Sequence, residues 1–431
     1  MGLDLRWDRR LRNYQIQLEP WFRAELDCSS CHQQSNLNKK LETKNMTTQF
    51  ITNSINRSLW RRAFLLIPLV LVCAAAYAQA ISWTPANPMN KARAFFTATK
   101  LLNGDVLVAG GYDGTIFPPN FPDAEIYNWH TGEWTLISPM NSARAAAVDV
   151  RLEDGRVLVI GGADADFNFL DSAEIYDPST GTWSFTGSMN EPRFEDFVAV
   201  LLPGRKVLIA GGFGPPFNAL NSAEIYDEAT NTWTPTGSMN VARAEFAYVV
   251  LHDGRVLAVG GVADDLTPIA SAEIYNPATG TWTLTGSMST GRNDLAVVVL
   301  HDGRVLGAGG GMGDEELPRY ASAEIFDPHT GQWTPTGDMT APRSETEHAV
   351  VRLPDGRVLV PGGHTAPHLP VSSADLYDPR TGTWTAAGFM SIPRAGHVAV
   401  LLNGNRGVLV MGGYSIEGGV STTSVDIFQT R

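Results

Sequence analysis

Seven Gly-Gly pairs, beginning at residues 110, 161, 211, 260, 309, 362 and 412, recur with a period of about 50, and nothing else in the chain restricts its fold as strongly. A Trp follows six of them, at 134, 183, 233, 282, 333 and 384, and a seventh, Trp83, precedes the first pair. An aromatic stands seven residues before each of those six Trp (Tyr127, Tyr176, Tyr226, Tyr275, Phe326, Tyr377), and Arg recurs at 93, 144, 193, 243, 292, 343 and 394. A repeat of this length is one supersecondary unit that buries its apolar face only against its neighbours, as in a propeller or a solenoid.

Each unit reads as four strands. In the second, an apolar run over 146–152 meets Glu153-Asp154-Gly155-Arg156, and the Asp-Gly dipeptide recurs at 253, 302 and 355. Asp-Gly tolerates positive φ at both central positions, so a two-residue hairpin is expected. Val157–Ile160 then runs into Gly161-Gly162, where a side chain would block close backbone approach. After a variable loop come 172–177, a Pro178-Ser179-Thr180-Gly181 turn with Gly in its left-handed position, and a last strand opened by Trp183. No helical period occurs in this region, so antiparallel four-stranded blades around a channel are the expected packing.

The succession of Gly-Gly, Tyr, Trp seven residues later and Met-x-x-x-Arg (Met189 to Arg193, Met239 to Arg243) resembles the kelch repeat, over residues 81–431. That resemblance implies an all-β, seven-bladed β-propeller whose first strand in each blade lines the channel. The seventh unit stops after the strand 424–428, and the missing outer strand is supplied by Ile81-Ser82-Trp83-Thr84 from the other end. Pairing of the N- and C-terminal strands should therefore close the ring and leave no open edge.

Residues 1–80 and 81–431 differ in charge. Residues 1–80 carry eleven Lys/Arg and six Asp/Glu, a net of +5, whereas the remainder carries −18. Such an acidic body excludes nucleic-acid binding, which needs clustered Lys and Arg. Residues 63–80 form an apolar run after Trp60-Arg61-Arg62, ending at Ala76-Tyr77-Ala78. That is the layout of a signal peptide over 46–78, with a membrane anchor as the alternative. An extracytoplasmic location follows, periplasmic or secreted. Arg61-Arg62 resembles a twin-arginine signal, although Trp60 and Leu66 depart from it, so the export route stays open. Residues 1–45 read as an extension preceding a start at Met46. They hold Cys28, Cys31 and His32 in a C-x-x-C-H haem-attachment spacing. The positive charge before the apolar run keeps that side cytoplasmic, opposite to where covalent haem is attached.

A feature present in every blade belongs to the scaffold. The repeated Arg have seven matching acids, Glu125, Glu174, Glu224, Glu273, Glu324, Asp375 and Asp426. Propeller strands are covered on both faces, so a ring of buried Arg–carboxylate pairs is expected. Site residues should be those that differ between blades. Just after the repeated Arg stand Glu195 and Asp196, Glu245, Asp294, Glu345 with Glu347 and His348, and His397. These form the candidate ligand-binding channel mouth, able to hold a divalent cation or a polyhydroxylated ligand; an acidic, water-filled entrance with no fixed ligand is the plain alternative. The loops after Gly-Gly add Asp164, Asp166, Asp264, Asp265, Asp314, Glu315, Glu316, His364, His368 and the aromatics Phe167, Phe169, Phe213, Phe217 and Tyr320.

Galactose-oxidase-like copper radical enzymes share this scaffold by resemblance, but their centre needs a Cys–Tyr thioether, and all three cysteines here precede residue 74. No Tyr-His pair stands together in the sequence either. A sugar mutarotase or epimerase, as in periplasmic kelch proteins acting on sialic acid, is the enzymatic alternative, with Glu345 and His348 as acid and base; those proteins have six blades. No nucleophile elbow, phosphate loop or H-E-x-x-H motif occurs. The reading is a monomeric, exported binding module without cofactor or catalytic residues, recognising a glycan or protein partner.

Overall fold

The computed structural model describes residues 81–114, 120–313, 318–365, 369–404, 406–415 and 421–430. The extension with Cys28, Cys31 and His32, the leader at 46–78, Asp314–Glu316 and His368 lie outside the described residues. Seven four-stranded antiparallel sheets, with no helix among the described residues, form seven blades. Their inner strands are Thr97–Lys100, Val148–Arg151, Val198–Leu202, Ala247–Val250, Ala296–Val299, Val351–Arg352 and Val398–Leu401, defining blades 1 to 7. Each inner strand contacts its neighbours in a cycle that returns from blade 7 to blade 1.

The outer strand of blade 7 is Ile81–Pro85, paired antiparallel with Val425–Thr430 so that Trp83 opposes Phe428. In every blade the Trp stacks obliquely on the aromatic of the third strand with ring centroids 5.0–5.1 Å apart; in blade 7 that partner is Phe428. Among the described residues the apolar core is divided between blades. Seven separate apolar clusters lie at the seven blade interfaces, such as Val150, Leu158, Ile160 and Met189 of blade 2 against Phe197, Ile209 and Trp233 of blade 3.

Both glycines of each pair have positive φ, for example Gly161 at 63° and Gly162 at 85°. A Cβ on Gly162 would come within 2.5 Å of the Ala145 carbonyl. The second Gly donates its N–H to the carbonyl of the next blade's repeated Arg, from Gly111 to Arg144 at 2.9 Å round to Gly413 and Arg93 at 2.8 Å. That Arg is itself a hub. Arg243 donates to the carbonyls of Gly260 (2.8 Å) and Ser271 (3.0 Å) and to Glu273 (3.1 Å). All seven Arg–acid pairs form, at 2.7–3.4 Å, with both partners buried. Each acid also accepts the N–H of the residue after the repeated Met, as Glu273 does from Asn240 at 2.7 Å. Each buried carboxylate is thereby hydrogen-bonded as well as ion-paired, which is what a buried charge requires.

The Asp-Gly hairpins differ from the expected two-residue turn. Leu152 donates to Arg156 O and Gly155 donates to Leu152 O, so the loop has three residues. Only Gly155 takes positive φ. Asp154 stays on the ordinary side of φ because its carboxylate is used to accept the Arg156 N–H at 3.1 Å and its Nε at 2.8 Å. A three-residue loop with Gly in the left-handed place is the next commonest hairpin.

Candidate functional site

Between the buried Arg and the inner strand the chain must turn sharply at the channel mouth. The second residue after each Arg does this with a left-handed backbone: Phe95, Ala146, Glu195, Glu245, Asp294 and Glu345 at φ 48–57°, and Gly396 at 58°. These residues belt the mouth. Phe95 N–H donates to Gly396 O, Ala146 to Phe95 O, Glu195 to Ala146 O and Asp294 to Glu245 O, each bond joining adjacent blades. Left-handed non-Gly residues cost on the order of 1 kcal/mol each and persist where the surroundings over-determine them. Blades 3, 4, 5 and 6 place carboxylates on this belt; blades 7, 1 and 2 place Gly, Phe and Ala.

Two blades depart from the repeat, and they supply the centre of the site. From the repeated Arg to the Leu ending the inner strand there are eight residues in five blades, nine in blade 3 and ten in blade 6. In blade 3 the extra residue is Asp196, also left-handed at φ 43°. In blade 6 the two extra residues fold into a turn in which Ala349 and Val350 both donate to Thr346 O, at 3.1 and 3.0 Å, leaving an inner strand of only Val351–Arg352. The turn carries His348 across the channel, where Nε2 lies 2.8 Å from Asp196 Oδ1. Asp196, Glu347 and His348 offer ligand atoms that all lie within 4.8 Å of one another.

The protonation of this cluster follows from crowding of like charge. Although enclosure within the ring opposes its charged form, the Asp196 hydrogen bond and charge, aided by Glu347 and Asp149, push His348 up to about 9. Burial, then Asp196, push Glu347 up to about 8. Asp294 is held well above the ordinary carboxylate range by burial and by Glu245, Glu347, Asp196 and Glu345. Asn293 Nδ2 lies 2.8 Å from Glu245 and 2.7 Å from Asp294, tying those two carboxylates together. Deeper in the channel, burial raises Asp149 to about 6; the Thr99 hydroxyl donates to it from the neighbouring blade. The mouth therefore carries more carboxylate than its own cations balance.

Glu345 departs from this pattern. Tyr414 donates to it at 2.9 Å and lies 2.7 Å from His364 Nε2, while His364 Nδ1 stands 3.1 Å from Glu345 Oε1. Burial works against the ionised form, but His364, Tyr414 and Arg319 together hold Glu345 below its usual range. Folding thus brings together a Tyr–His pair that lies 50 residues apart in sequence.

Of the predicted mouth residues, Glu195, Asp196, Glu245, Asp294, Glu345 and His348 lie at or next to the belt. His397 does not. It occupies the position of Phe96 and Phe246 in other blades, is 1% exposed, and presents Cε1 where a Cβ on Gly362 would come within 2.6 Å. Burial, then the Arg394 charge, push it down to about 3, so it is a neutral core residue between blades. Among the loop candidates, Asp164 accepts N–H bonds from Asp166 and Asn168 in its own loop, and Asp264 accepts from Ala219 of the neighbouring loop. Phe167, Phe169, Phe194, Phe213 and Phe217 stack into one knob, with Phe213 and Phe217 buried. Asp149 and Tyr414 join the site without having been chosen from sequence, alongside Glu347 of the mouth set and His364 of the loop set. The Arg-to-Leu spacing is the signal that marks Glu347, and the position directly after Gly412-Gly413, equivalent to that of His364, is the one that marks Tyr414.

A family model described as the kelch motif matches residues 99–141, 154–190, 197–240 and 247–289. Two F-box/kelch-repeat proteins of Arabidopsis thaliana are similar, one 34% identical over 113 residues (26% of this chain, 29% of the relative) and one 40% identical over 84 residues (19% and 17%). The matched stretch spans less than a third of the length of these relatives. Among solved structures, a fungal alcohol oxidase of the AA5 family in complex with copper aligns with a TM-score of 0.67 at 20% identity, covering 81% of this chain and 76% of that one. The structure of YjhT aligns at 0.55 and 14% identity, covering 70% and 99%. Identities this low carry the fold alone. The residues around Tyr414 do not fit a copper radical centre, since no cysteine follows residue 73 to cross-link a tyrosine.

Proposed function

Because the chain is a kelch-repeat β-propeller, a scaffold whose repeats mediate protein binding, we propose that it is an exported, non-catalytic binding module that takes a cationic or donor-rich group of a protein or glycan partner at its acidic channel mouth. One observation carries this reading: four successive blades place carboxylates on the left-handed belt, while the repeated Arg, its acid, the Gly-Gly pair and the Trp serve the scaffold. A ligand bearing an ammonium, a guanidinium or several hydroxyls relieves the crowding of like charge that, after burial, raises Glu347 and Asp294. Export rests on the leader at 46–78.

A divalent cation is the second reading, favoured by the convergence of Asp196, Glu347 and His348. Two carboxylates and one imidazole suit a transition metal better than calcium, which prefers oxygen alone. Calorimetric titration of the full chain with arginine-rich peptide, a sugar panel, Zn²⁺ and Ca²⁺ tests both. Saturable heat with peptide or sugar supports the partner reading, and heat with Zn²⁺ alone favours the metal. Polarimetric turnover of any sugar overturns the non-catalytic claim and moves Glu345 and Tyr414 into an acid–base role.

A further inference from the structure

The opposite end of the channel has a composition of its own. The last inner-strand residue before each hairpin, the one paired with the first residue of the second strand, forms a second collar. In blades 1, 2 and 6 that residue is Lys100, Arg151 and Arg352; in blades 4, 5 and 7 it is Val250, Val299 and Leu401, and in blade 3 Leu201 stands beside the terminal Leu202. The cations of blades 1 and 2 are adjacent, that of blade 6 stands beyond Leu401 of blade 7, and the aliphatics of blades 3 to 5 fill the rest of the collar.

Each cation leans over the rim onto the carbonyl of the equivalent residue in the preceding blade: Lys100 Nζ to Leu401 O at 2.8 Å, Arg151 to Lys100 O at 2.6 Å, Arg352 to Val299 O at 2.7 Å. These bonds fix the side chains at the opening without neutralising them. Among the described residues no carboxylate lies within 4.0 Å of any of the three. Four acids of the surrounding hairpins are held by their own arginines, Asp154 by Arg156, Asp253 by Arg255, Asp302 by Arg304 and Asp355 by Arg357, and Asp105 is bonded by Asn103 and the Trp129 N–H. Asp149, next along the inner wall, is two strand residues away, about 6.6 Å. Lys100 is held below the usual ammonium range by burial and by Arg151, as expected for a cation facing a like charge. Across the opening, Val250 is 44% exposed, one of the most open large aliphatic side chains on the body.

We propose that this second mouth is a binding site for an organic carboxylate carried on an aliphatic body, its charge held by Lys100, Arg151 and Arg352 and its apolar part laid on Leu201, Val250 and Val299. A guanidinium with one N–H committed to a carbonyl still presents a planar fork to a carboxylate. The aliphatic arc adds apolar burial that inorganic phosphate cannot exploit. The site stands independently of the acidic mouth.

The test is calorimetric titration of the full chain with hexanoate, hexanol and inorganic phosphate, and with a tripeptide ending in a free leucine carboxylate against its amide. The proposal expects saturable binding of hexanoate, of the free-acid peptide, or of both, at least tenfold tighter than hexanol, the amide or phosphate. Which of the two acids binds tells a free acid from a chain terminus as the source. Arg151→Gln with Arg352→Gln should weaken that binding at least tenfold with an unchanged melting temperature. If neither acid binds, if phosphate matches hexanoate, or if the double variant binds as well as wild type, the proposal is wrong. Should the double variant fail to fold, Lys100→Met provides the same comparison, with the same outcomes.

Discussion

His348, on the inserted turn of blade 6, meets Asp196 of blade 3 across the channel, Nε2 to Oδ1 at 2.8 Å. The two residues are 152 apart in sequence and three blades apart round the ring. Asp196 is the chief reason that His348 holds its proton to about 9. In Asp196→Asn the imidazole should titrate at or below its ordinary value of about 6.5, read from its ring protons by NMR. A pKa that stays near 9 in that variant would mean that Asp196 is not the partner.

The same cluster makes stability depend on pH. His348 gains a partner on folding, so its contribution is complete below its unfolded pKa and disappears as pH rises through about 9. Glu347 is also raised, to about 8, so its folded form favours the proton and stability falls between its unfolded value and 8. Both act in one direction, and the melting temperature should decline from pH 6 to pH 9.5. Glu347→Gln should flatten the decline below pH 8; parallel curves for wild type and variant would contradict it.

Buried pairs within blades answer to a different logic. Arg243→Met leaves Glu273 without its cation in a fully buried site, and a stranded buried charge costs about 3–5 kcal/mol. Thermal unfolding should show a large fall in melting temperature, partly recovered when Glu273→Leu is added. A single variant that melts with wild type would show the pair to be solvated.

Closure of the ring rests on one strand from each end of the propeller. Trp83 stacks on Phe428 at 5.0 Å and donates Nε1 to Ala387 O of blade 6 at 2.7 Å. Trp83→Ala should cost about 3–5 kcal/mol as a large aromatic truncation, and a chain beginning at Asn90 should lose more. Equal melting temperatures for the truncated and full-length propeller would refute closure by this strand.

What the sequence discloses depends on whether a contact repeats. The Trp–aromatic stacks, the Gly-Gly crossings and the Arg–acid pairs occur once per blade, so periodicity alone exposes them, including the outer strand shared between the two ends. His397 looks like a mouth residue in an alignment-free reading, but after its left-handed Gly396 the next side chain turns inward, where blades 1 and 4 place Phe96 and Phe246. The hairpin loop is longer than Asp-Gly suggests because Asp154 spends its carboxylate on the Arg156 backbone. His364 and Tyr414 hold the same position after Gly-Gly in successive blades, one period apart, but only the folded ring sets both against Glu345. Glu347 and His348 were legible as residues; that they reach Asp196 needs the two-residue insertion to fold as a turn.

The central claim is that the carboxylates of blades 3, 4 and 6 recognise a ligand and do not hold the scaffold together. Calorimetry of the full chain with the tightest ligand from the peptide and sugar panel, compared between wild type and the combined Glu195→Gln, Glu245→Gln and Glu345→Gln variant, tests it most directly. The account predicts at least a tenfold loss of affinity, with melting temperature changed far less than by Arg243→Met. Unchanged affinity in a folded triple variant would contradict it.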